Sequence, residues 1–160
     1  MSDELTNFSA VRLATMMRRR EVSPVEVVAA HLARVERLNP ELNAVVTLAP
    51  DALERAGEVE AALMRGEDVG ALCGVPVTVK DTIEVRGLRA TSGSKPRAGD
   101  VPERDAPAVE RLRAAGAIIL GKTNASELAL DYTTDNPVFG RTNNPHDLSR
   151  TPGGSSGGCA

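Results

Sequence analysis

Two short apolar runs, separated by a helical pattern, constrain the fold of this chain more than any other feature. Residues 75–79 (VPVTV) and 117–120 (AIIL) are typical of buried strands, because they are short and rich in β-branched residues. Helical patterns follow these runs, over about residues 105–115 and 125–130. Strands that alternate with helices predict βαβ units. We therefore expect an α/β fold with a mixed, mainly parallel sheet and helices on both faces.

The first 65 residues have the pattern of helices. The clearest start signal is Ser23-Pro24-Val25-Glu26, with serine as N-cap, proline at the first helical position and glutamate at the third. Further helices are expected around residues 10–19 and 52–64. His31 is interpreted as a packed or surface side chain of the second helix rather than a ligand. An apolar stripe at helical spacing behind the start signal is formed by Val25, Val28, Leu32 and Val35.

Composition excludes several classes of function. The 160 residues carry a formal net charge of -3, with no Trp, one Tyr and two Phe, so we expect no nucleic-acid binding by the chain itself. We find no signal-peptide pattern and no run of about 20 apolar residues, so we expect a soluble, cytoplasmic protein without a membrane partner. Cys73 and Cys159 make no CxxC pair and, with two histidines, no metal-ligand spacing. We predict neither a metal nor a cofactor.

Residues 116–123 match the P-loop pattern GxxxxGK[ST] letter for letter. A P-loop needs a flexible loop between its glycines, so that main-chain N–H groups can surround phosphate. Here the four intervening residues are the predicted strand, and Ile118 and Ile119 would have to leave the core. We therefore interpret this segment as a strand that ends at Gly121, followed by a helix capped by Asn124. The alternative, a nucleotide-binding module, requires the loop that this strand replaces.

Residues 150–158 (RTPGGSSGG) form the most unusual segment of the chain. A flexible linker has a similar composition, but here the segment follows a loop rich in turn-forming residues. Glycines on both sides of paired hydroxyls also give the main chain conformations closed to other residues. A site that brings N–H groups and a serine hydroxyl together around a reacting carbonyl needs such freedom.

Lys80 is the second unusual residue, because the chain contains 16 Arg and only three Lys. It directly follows residues 75–79, a position from which a side chain can be drawn partly into a core. Burial disfavours a charged ammonium, and a neutral lysine can act as a general base, which arginine cannot. The structural alternative is a lysine at a strand end that is paired with Asp81 or another carboxylate.

Five segments together resemble the amidase signature family, in its order and at its spacing. They are GVPVTVKD (74–81), GKTN (121–124), DNPVFG (135–140), NP (144–145) and PGGSSGG (152–158). The likeness covers residues 74–160 strongly and the helical N-terminus more loosely. It implies the N-terminal part of a single amidase signature domain, with a helical segment over about residues 1–70 and an α/β part over about 71–160.

The resemblance implies a Ser–cis-Ser–Lys triad that hydrolyses a small-molecule amide through an acyl-enzyme. Lys80 matches the family's base. Ser155 matches the bridging serine, which follows a cis peptide bond, here between Gly154 and Ser155. The substrate would contact Ser155 and the segment around Ala129, which would border the acyl pocket. No cofactor is implied.

The family's nucleophilic serine lies about two dozen residues beyond the bridging serine, outside these 160 residues. We therefore expect the chain to be a fragment of a longer protein, inactive and poorly soluble alone. Ser156 does not replace the nucleophile, because in the family's pattern it is only a neighbour of the bridging serine. His146, Asp147 and Ser149 are too close in sequence to orient one another as a triad.

Three functions stay open on the sequence. Pro137 in DNPVFG resembles the stand-alone amidases more than the amidotransferase subunits, and so favours an amidase that acts on a carboxamide. The alternative is the A subunit of a glutamyl/aspartyl-tRNA amidotransferase, a glutaminase that works with partner subunits. The alternative of another class is a non-catalytic, truncated remnant.

Overall fold

The structure is a computed structural model that describes residues 2–160, with side chains from residue 4 on. The chain divides into two compact units. The first unit consists of the residues up to Glu36, Pro50–Val77 and Pro107–Leu120. The second unit consists of Arg37–Ala49, Thr78–Ala106 and Gly121–Ala160. The residues predicted for the site, Lys80, Ala129 and Ser155, therefore all belong to the second unit.

The helices agree closely with the pattern of the sequence. The helix start signal at residues 23–26 is confirmed as a reciprocal N-cap. Ser23 Oγ accepts from the Val25 N–H at 3.0 Å, and Glu26 Oε2 accepts from the Ser23 N–H at 2.9 Å. Of the predicted apolar stripe, Val28 is buried and the other members are half-buried. No helix within residues 2–160 is both long and apolar enough to cross a membrane. The helices are α1 (Ser2–Leu5), α2 (Ala10–Arg18), α3 (Pro24–Leu42), α4 (Ala52–Arg65) and α5 (Pro107–Ala114).

The core of the first unit is formed by α2, the first turns of α3 and the residues just before Pro76. Its apolar members are almost completely buried. Burial of a large apolar side chain stabilises the folded state by about 1.5–3 kcal/mol. They are Leu13, Ala14, Met17, Val27, Cys73 and Val75.

The predicted α/β fold with a mixed sheet is confirmed, and residues 2–160 contribute three strands to that sheet. Its strands are β1 (Val45–Leu48), β2 (Pro76–Lys80) and β3 (Ile118–Thr123), in the order β1-β3-β2. β1 pairs antiparallel with β3. β2 runs parallel to β3, since the Asp81 N–H donates to Thr123 O and the Ile118 N–H donates to Val75 O. The sheet therefore has one pairing of each kind.

The expectation of helices throughout residues 1–65 is wrong at β1. Asn43 adopts φ +51° and ends α3, and Asn39 Oδ1 accepts from the N–H groups of Ala44 and Val45 at 2.8 Å each. These bonds turn the chain from helix into strand, and the pairing with β3 then stabilises four residues that are too short to signal a strand alone.

The predicted helix over residues 125–130 is also wrong. The structure has a single 3₁₀ turn there, Glu127–Ala129, in which Leu128 and Ala129 both have positive φ, at 49° and 59°. Asn124 does not cap it as predicted, because its Oδ1 accepts from Asn136 Nδ2 at 2.7 Å and from the neighbouring Ala125 N–H at 3.0 Å instead of from the turn that follows. Long-range hydrogen bonds thus override the local helical pattern.

Candidate active site

Lys80 and Ser155, which are 75 positions apart in the chain, lie in direct contact. Lys80 is the last residue of β2, and Ser155 lies in the glycine- and serine-rich loop over residues 152–158, here called the Gly-Ser loop. Lys80 Nζ donates a hydrogen bond of 2.7 Å to Ser155 Oγ. Both residues are half-buried, and the peptide bond between Gly154 and Ser155 is cis. A lysine amine and a serine hydroxyl at this distance can exchange a proton.

Close packing requires glycine at three positions of the Gly-Ser loop, which are Gly154, Gly157 and Gly158. A Cβ at Gly154 would lie 2.6 Å from the carbonyl carbon of Tyr132, and one at Gly157 would lie 2.5 Å from Thr134 Oγ1. Real Cβ atoms do not approach other atoms so closely, so any larger residue would push the loop away. The glycine pattern therefore fixes where Ser155 sits.

Hydrogen bonds hold the Gly-Ser loop on several sides. The Ser126 N–H donates to Ser155 O at 3.2 Å, and the Gly158 N–H donates to Asn124 O at 3.2 Å. Thr134 Oγ1 accepts from the Gly157 N–H at 2.7 Å. The loop around Ser155 is thus ordered by the second unit and is not the flexible linker that its composition also allows.

The residue after Lys80 is held in the interior of the second unit. Asp81 is wholly buried, and its Oδ2 accepts from Thr91 Oγ1 at 2.7 Å and from the Gly93 N–H at 3.3 Å. Its Oδ1 has no hydrogen-bond partner among the described residues. Lys80 therefore pairs with a serine, and the predicted alternative of an ion pair with Asp81 does not occur.

Lys122 is a buried lysine that lies within the rejected P-loop pattern. It is wholly buried, and Nζ donates to Arg89 O at 3.1 Å and to Asp81 O at 3.4 Å. Burial lowers the pKa of Lys122 to about 8, although the negative charges of Asp81 and Glu84 oppose this shift. A charged group that bonds the carbonyl next to Lys80 helps to fix the end of β2.

Two buried asparagines stabilise the loop of residues 134–142. Asn136 Nδ2 donates to Asn124 Oδ1 at 2.7 Å, and Asn136 Oδ1 accepts from the N–H groups of Val138 and Phe139. Buried amides that satisfy one another in this way rigidify a core. The DNPVFG segment is therefore a folded support for the site, and Pro137 lies inside its turn.

Ala129, the third residue predicted for the site, lies in the 3₁₀ turn at Glu127–Ala129. Its N–H donates to Ser126 O at 3.0 Å, and Ser126 in turn donates its own N–H to Ser155 O. Ala129 is therefore one hydrogen-bonded residue removed from Ser155, on an exposed turn. Contact of this turn with a substrate remains a prediction.

The other motifs weighed on the sequence do not form sites. Ile118 lies in β3 and is buried, so residues 116–123 do not provide the loop that a phosphate needs. Asp147 lies in an exposed turn, where its carboxylate accepts from Ser149 Oγ at 2.6 Å and Arg150 Nε at 2.9 Å. These bonds, that from Ser149 first, lower the pKa of Asp147. No group of three or more His, Cys, Asp or Glu within residues 2–160 could hold a metal ion.

Sequence reasoning missed two residues that bear on this site, Lys122 and Thr134. Lys122 carried a signal that could have found it, since a lone lysine inside an apolar strand needs buried oxygen partners. Thr134 carried no comparable signal, because threonine is common in polar loops and its partners are 19 and 23 positions away.

Comparisons with known proteins identify relatives of this chain. Residues 26–160 match the family model described as Amidase. The chain is 48% identical, over its whole length, to the A subunit of the glutamyl-tRNA(Gln) amidotransferase of Acidothermus cellulolyticus, of which it covers 32%. Among solved structures, it resembles the peptide amidase of Stenotrophomonas maltophilia, with 36% identity and a TM-score of 0.89, over 95% of this chain and 33% of that one.

A bacterial aryl acylamidase of the amidase signature enzymes is also similar, with 34% identity and a TM-score of 0.85, over 94% of this chain and 32% of that one. The chain thus spans about a third of the length of the curated relatives it matches. The family match covers residues 26–160, which is more than half of the chain and includes Lys80 and Ser155. The chain belongs to the amidase family, whose members are the amidase signature enzymes.

Proposed function

We propose that the complete protein is an amidase in which Lys80 and Ser155 relay a proton from a nucleophilic serine outside residues 1–160. The observation that carries the proposal is the 2.7 Å hydrogen bond between Lys80 Nζ and Ser155 Oγ. It joins two segments that the family match covers. A lysine–serine pair of this kind is one of the known variants of the serine hydrolase triad.

The relay begins with neutral Lys80. A hydroxyl both donates and accepts, so Ser155 O–H can give its proton to the free electron pair of Lys80 Nζ while Ser155 Oγ takes one from the nucleophilic serine. The nucleophile oxygen then bonds to the amide carbonyl carbon, and the carbonyl oxygen becomes an oxyanion. Lys80 ends this step as an ammonium, and Ser155 is again neutral.

The return of the proton completes the first half of the reaction. Lys80 gives its proton back through Ser155 to the leaving nitrogen, the C–N bond breaks, and ammonia or an amine departs. The serine ester that remains is attacked by water, whose proton follows the same relay. The products are a carboxylate and the regenerated serine. No step of this sequence calls for a cofactor.

The substrate we propose is a small carboxamide. Ser155 lies at the reacting bond, and the exposed turn that contains Ala129 borders the acyl side of the substrate. The support for Ala129 is its connection, through Ser126, to Ser155 O.

The first experiment is to sequence the encoding DNA beyond the codon for Ala160. The proposal expects the reading frame to continue into a second glycine- and serine-rich segment, with a serine about two dozen residues beyond Ser155. A stop codon directly after Ala160 would contradict it, because Lys80 and Ser155 would then have no nucleophile to serve. The chain would in that case be the non-catalytic remnant.

The second experiment measures ammonia release by the protein of the complete reading frame, on a panel of aliphatic and aromatic carboxamides. Lys80→Met and Ser155→Ala should each lower kcat by about 10²–10⁴-fold, the usual contribution of a general acid or base. Lys95→Met and Ser156→Ala are the matched controls, since Lys95 is exposed and Ser156 is the serine next to Ser155. Full activity in Lys80→Met would disprove the relay.

A second candidate is the A subunit of a tRNA-dependent amidotransferase. The observation that favours it is the 48% identity with the A subunit of such an enzyme over the whole chain, higher than the 34–36% with the amidases of known structure. In this case glutamine is the carboxamide, and ammonia passes to a partner subunit. The same lysine–serine relay would release it.

The two candidates are separated by their dependence on a partner. A stand-alone amidase releases ammonia from simple carboxamides as a single protein. An amidotransferase subunit prefers glutamine and gains activity when its partner subunits and the aminoacyl-tRNA are added. Comparing glutamine with propionamide and benzamide, with and without co-expressed partner subunits, decides between them. Lys80→Met should abolish the activity in either case.

A further inference from the structure

Thr134 is wholly buried beside the Gly-Ser loop, and the proposed reaction gives it no role so far. Its hydroxyl donates to Gly153 O at 2.9 Å and accepts from the Gly157 N–H at 2.7 Å. Ser155 lies midway between these two glycines. A single side-chain hydroxyl therefore bonds the main chain on both sides of the serine that contacts Lys80.

Thr134 is itself held firmly in place. The Thr142 N–H donates to Thr134 O at 2.9 Å. Thr142 is buried, and its hydroxyl donates to Asn43 O at 2.7 Å and accepts from Asn124 Nδ2 at 3.0 Å. Thr134, whose hydroxyl bonds the Gly-Ser loop, is thus connected to a buried network in which the hydrogen-bonding groups have partners. Such a network keeps the Thr134 side chain in one position.

The packing around Thr134 leaves the loop little room to find another arrangement. A Cβ at Gly157 would lie 2.5 Å from Thr134 Oγ1, and Gly154 packs equally closely against Tyr132 and Thr133. Gly157 is buried, so water does not readily replace the hydroxyl that its N–H donates to. Without that hydroxyl, the buried N–H of Gly157 has no hydrogen-bond acceptor, and this side of the loop is no longer bonded to Thr134.

We propose that Thr134 is a positioning residue, whose hydroxyl keeps Ser155 Oγ within hydrogen-bond distance of Lys80 Nζ. This inference rests on the proposed function, because the contact it protects is the proposed proton relay. Proton transfer depends steeply on the separation of the two heavy atoms, and a displacement of about 1 Å can cost about 10²-fold in rate. Because Thr134 is wholly buried, we expect it to act through Ser155 and not by binding substrate, so its loss should lower kcat and leave KM unchanged.

The test compares three variants of Thr134 in the protein of the complete reading frame. Thr134→Val keeps the shape and removes the hydroxyl, and kcat should fall about 10- to 100-fold with KM unchanged. Thr134→Ser restores a hydroxyl and should keep kcat within about threefold of the unsubstituted protein. Thr134→Ala removes the hydroxyl without placing a methyl group in the packed site. If Thr134→Val does not fold, kcat of Thr134→Ala should show the same fall of about 10- to 100-fold.

Thr47 supplies a matched control. Its Oγ1 is also buried but has no hydrogen-bond partner among the described residues. Thr47→Val therefore makes the same chemical change as Thr134→Val without breaking a bond, and kcat should not change. An equal loss of kcat in Thr47→Val and Thr134→Val would show a general effect on packing and would overturn the positioning role.

Two results separate this inference from the proposed function. If the unsubstituted protein is active and Lys80→Met is not, but the Val and Ala variants of Thr134 keep kcat within threefold, the function stands and the inference is wrong. If the unsubstituted protein hydrolyses no amide, crystal structures of these variants decide the inference alone. Ser155 Oγ displaced from Lys80 Nζ supports it, and an unchanged 2.7 Å contact overturns it.

Discussion

Replacing Lys122 by methionine tests the most unusual charge in the molecule. Lys122 is wholly buried, and burial lowers its pKa from 10.5 to about 8, against the opposing charges of Asp81 and Glu84. Methionine has a similar length and no charge, so Lys122→Met removes the titration and nearly preserves the volume. It also removes the hydrogen bonds to Asp81 O and Arg89 O.

The sign of the effect follows from which state binds the proton more tightly. Below pH 8 both the folded and the unfolded chain carry the proton on Lys122, and the folded state bears the full cost of the buried charge. Between pH 8 and 10.5 the folded state releases the proton while the unfolded state keeps it, so the contribution of Lys122 to stability rises with pH. A shift from 10.5 to about 8 corresponds to about 3 kcal/mol.

The measurement is the free energy of unfolding in urea from pH 6.5 to 10.5. The difference between the unsubstituted protein and Lys122→Met should rise by about 3 kcal/mol in favour of the lysine across pH 8 to 10.5. The change with pH carries the test, because the value at pH 7 combines the cost of the charge with the two lost hydrogen bonds. Lys95→Met, which removes an exposed lysine, is the control for this comparison.

A second readout observes Lys122 directly. In the side-chain ¹⁵N spectrum of the lysines in the protein of the complete reading frame, the signal missing from Lys122→Met identifies Lys122. It should titrate at a pH of about 8. A midpoint near 10.5, or stability curves that stay parallel over the whole pH range, would refute the argument that burial governs this lysine.

Two further predictions test how local sequence signals stabilise the first unit. Ser23→Ala removes the hydroxyl that caps α3 and should cost about 1 kcal/mol, measured as a lower urea midpoint with an unchanged slope; an unchanged midpoint would show that the cap contributes nothing. Gly116→Ala places a Cβ against Val69 O at φ +87° and should cost at least about 1–3 kcal/mol, whereas Gly57→Ala, in an open position within α4, should stabilise by about 0.5–1 kcal/mol. Equal midpoints for the two glycine variants would contradict the packing at Gly116.

The features that are predicted correctly from the sequence depend on residues that are close together in the chain. The cap at Ser23 is recognisable because its partner Glu26 is three residues away, and the start of α3 followed correctly. β1 was missed because it has four residues and its stabilising partner, β3, lies more than 70 positions later. A local pattern cannot report a partner of that kind, so helices were expected where the chain forms a strand.

The candidate site shows the same division. The contact of Lys80 with Ser155 spans 75 positions, and it was anticipated only because the spacing of several segments resembled a family. The residues that support this contact were not anticipated, since Thr134 and Lys122 bond to main-chain atoms. Main-chain partners place no demand on the identity of the residues they belong to, so the only signal of this support was the position of Lys122 in an apolar strand, and Thr134 carried none.

The P-loop pattern at residues 116–123 shows that one sequence pattern can have a different structural cause in different proteins. In a P-loop the lysine donates to phosphate oxygens, whereas here Lys122 donates to main-chain carbonyl oxygens of Asp81 and Arg89. Gly121 is required because a Cβ there would collide with Thr47 O, not because a phosphate approaches. In this chain the GxxxxGK[ST] pattern therefore provides a lysine that bonds buried carbonyl oxygens of the protein itself, and not the oxygens of a phosphate.

This segment also connects the two halves of the candidate site. Thr123 O accepts from the N–H of Asp81, the residue after Lys80, and Asn124 O accepts from the N–H of Gly158, three residues after Ser155. The end of β3 thus bonds both the strand that carries the lysine and the loop that carries the serine. Because both bonds use its main chain, a change that shifts the backbone of residues 122–124 alters the distance between Lys80 and Ser155 without touching either side chain.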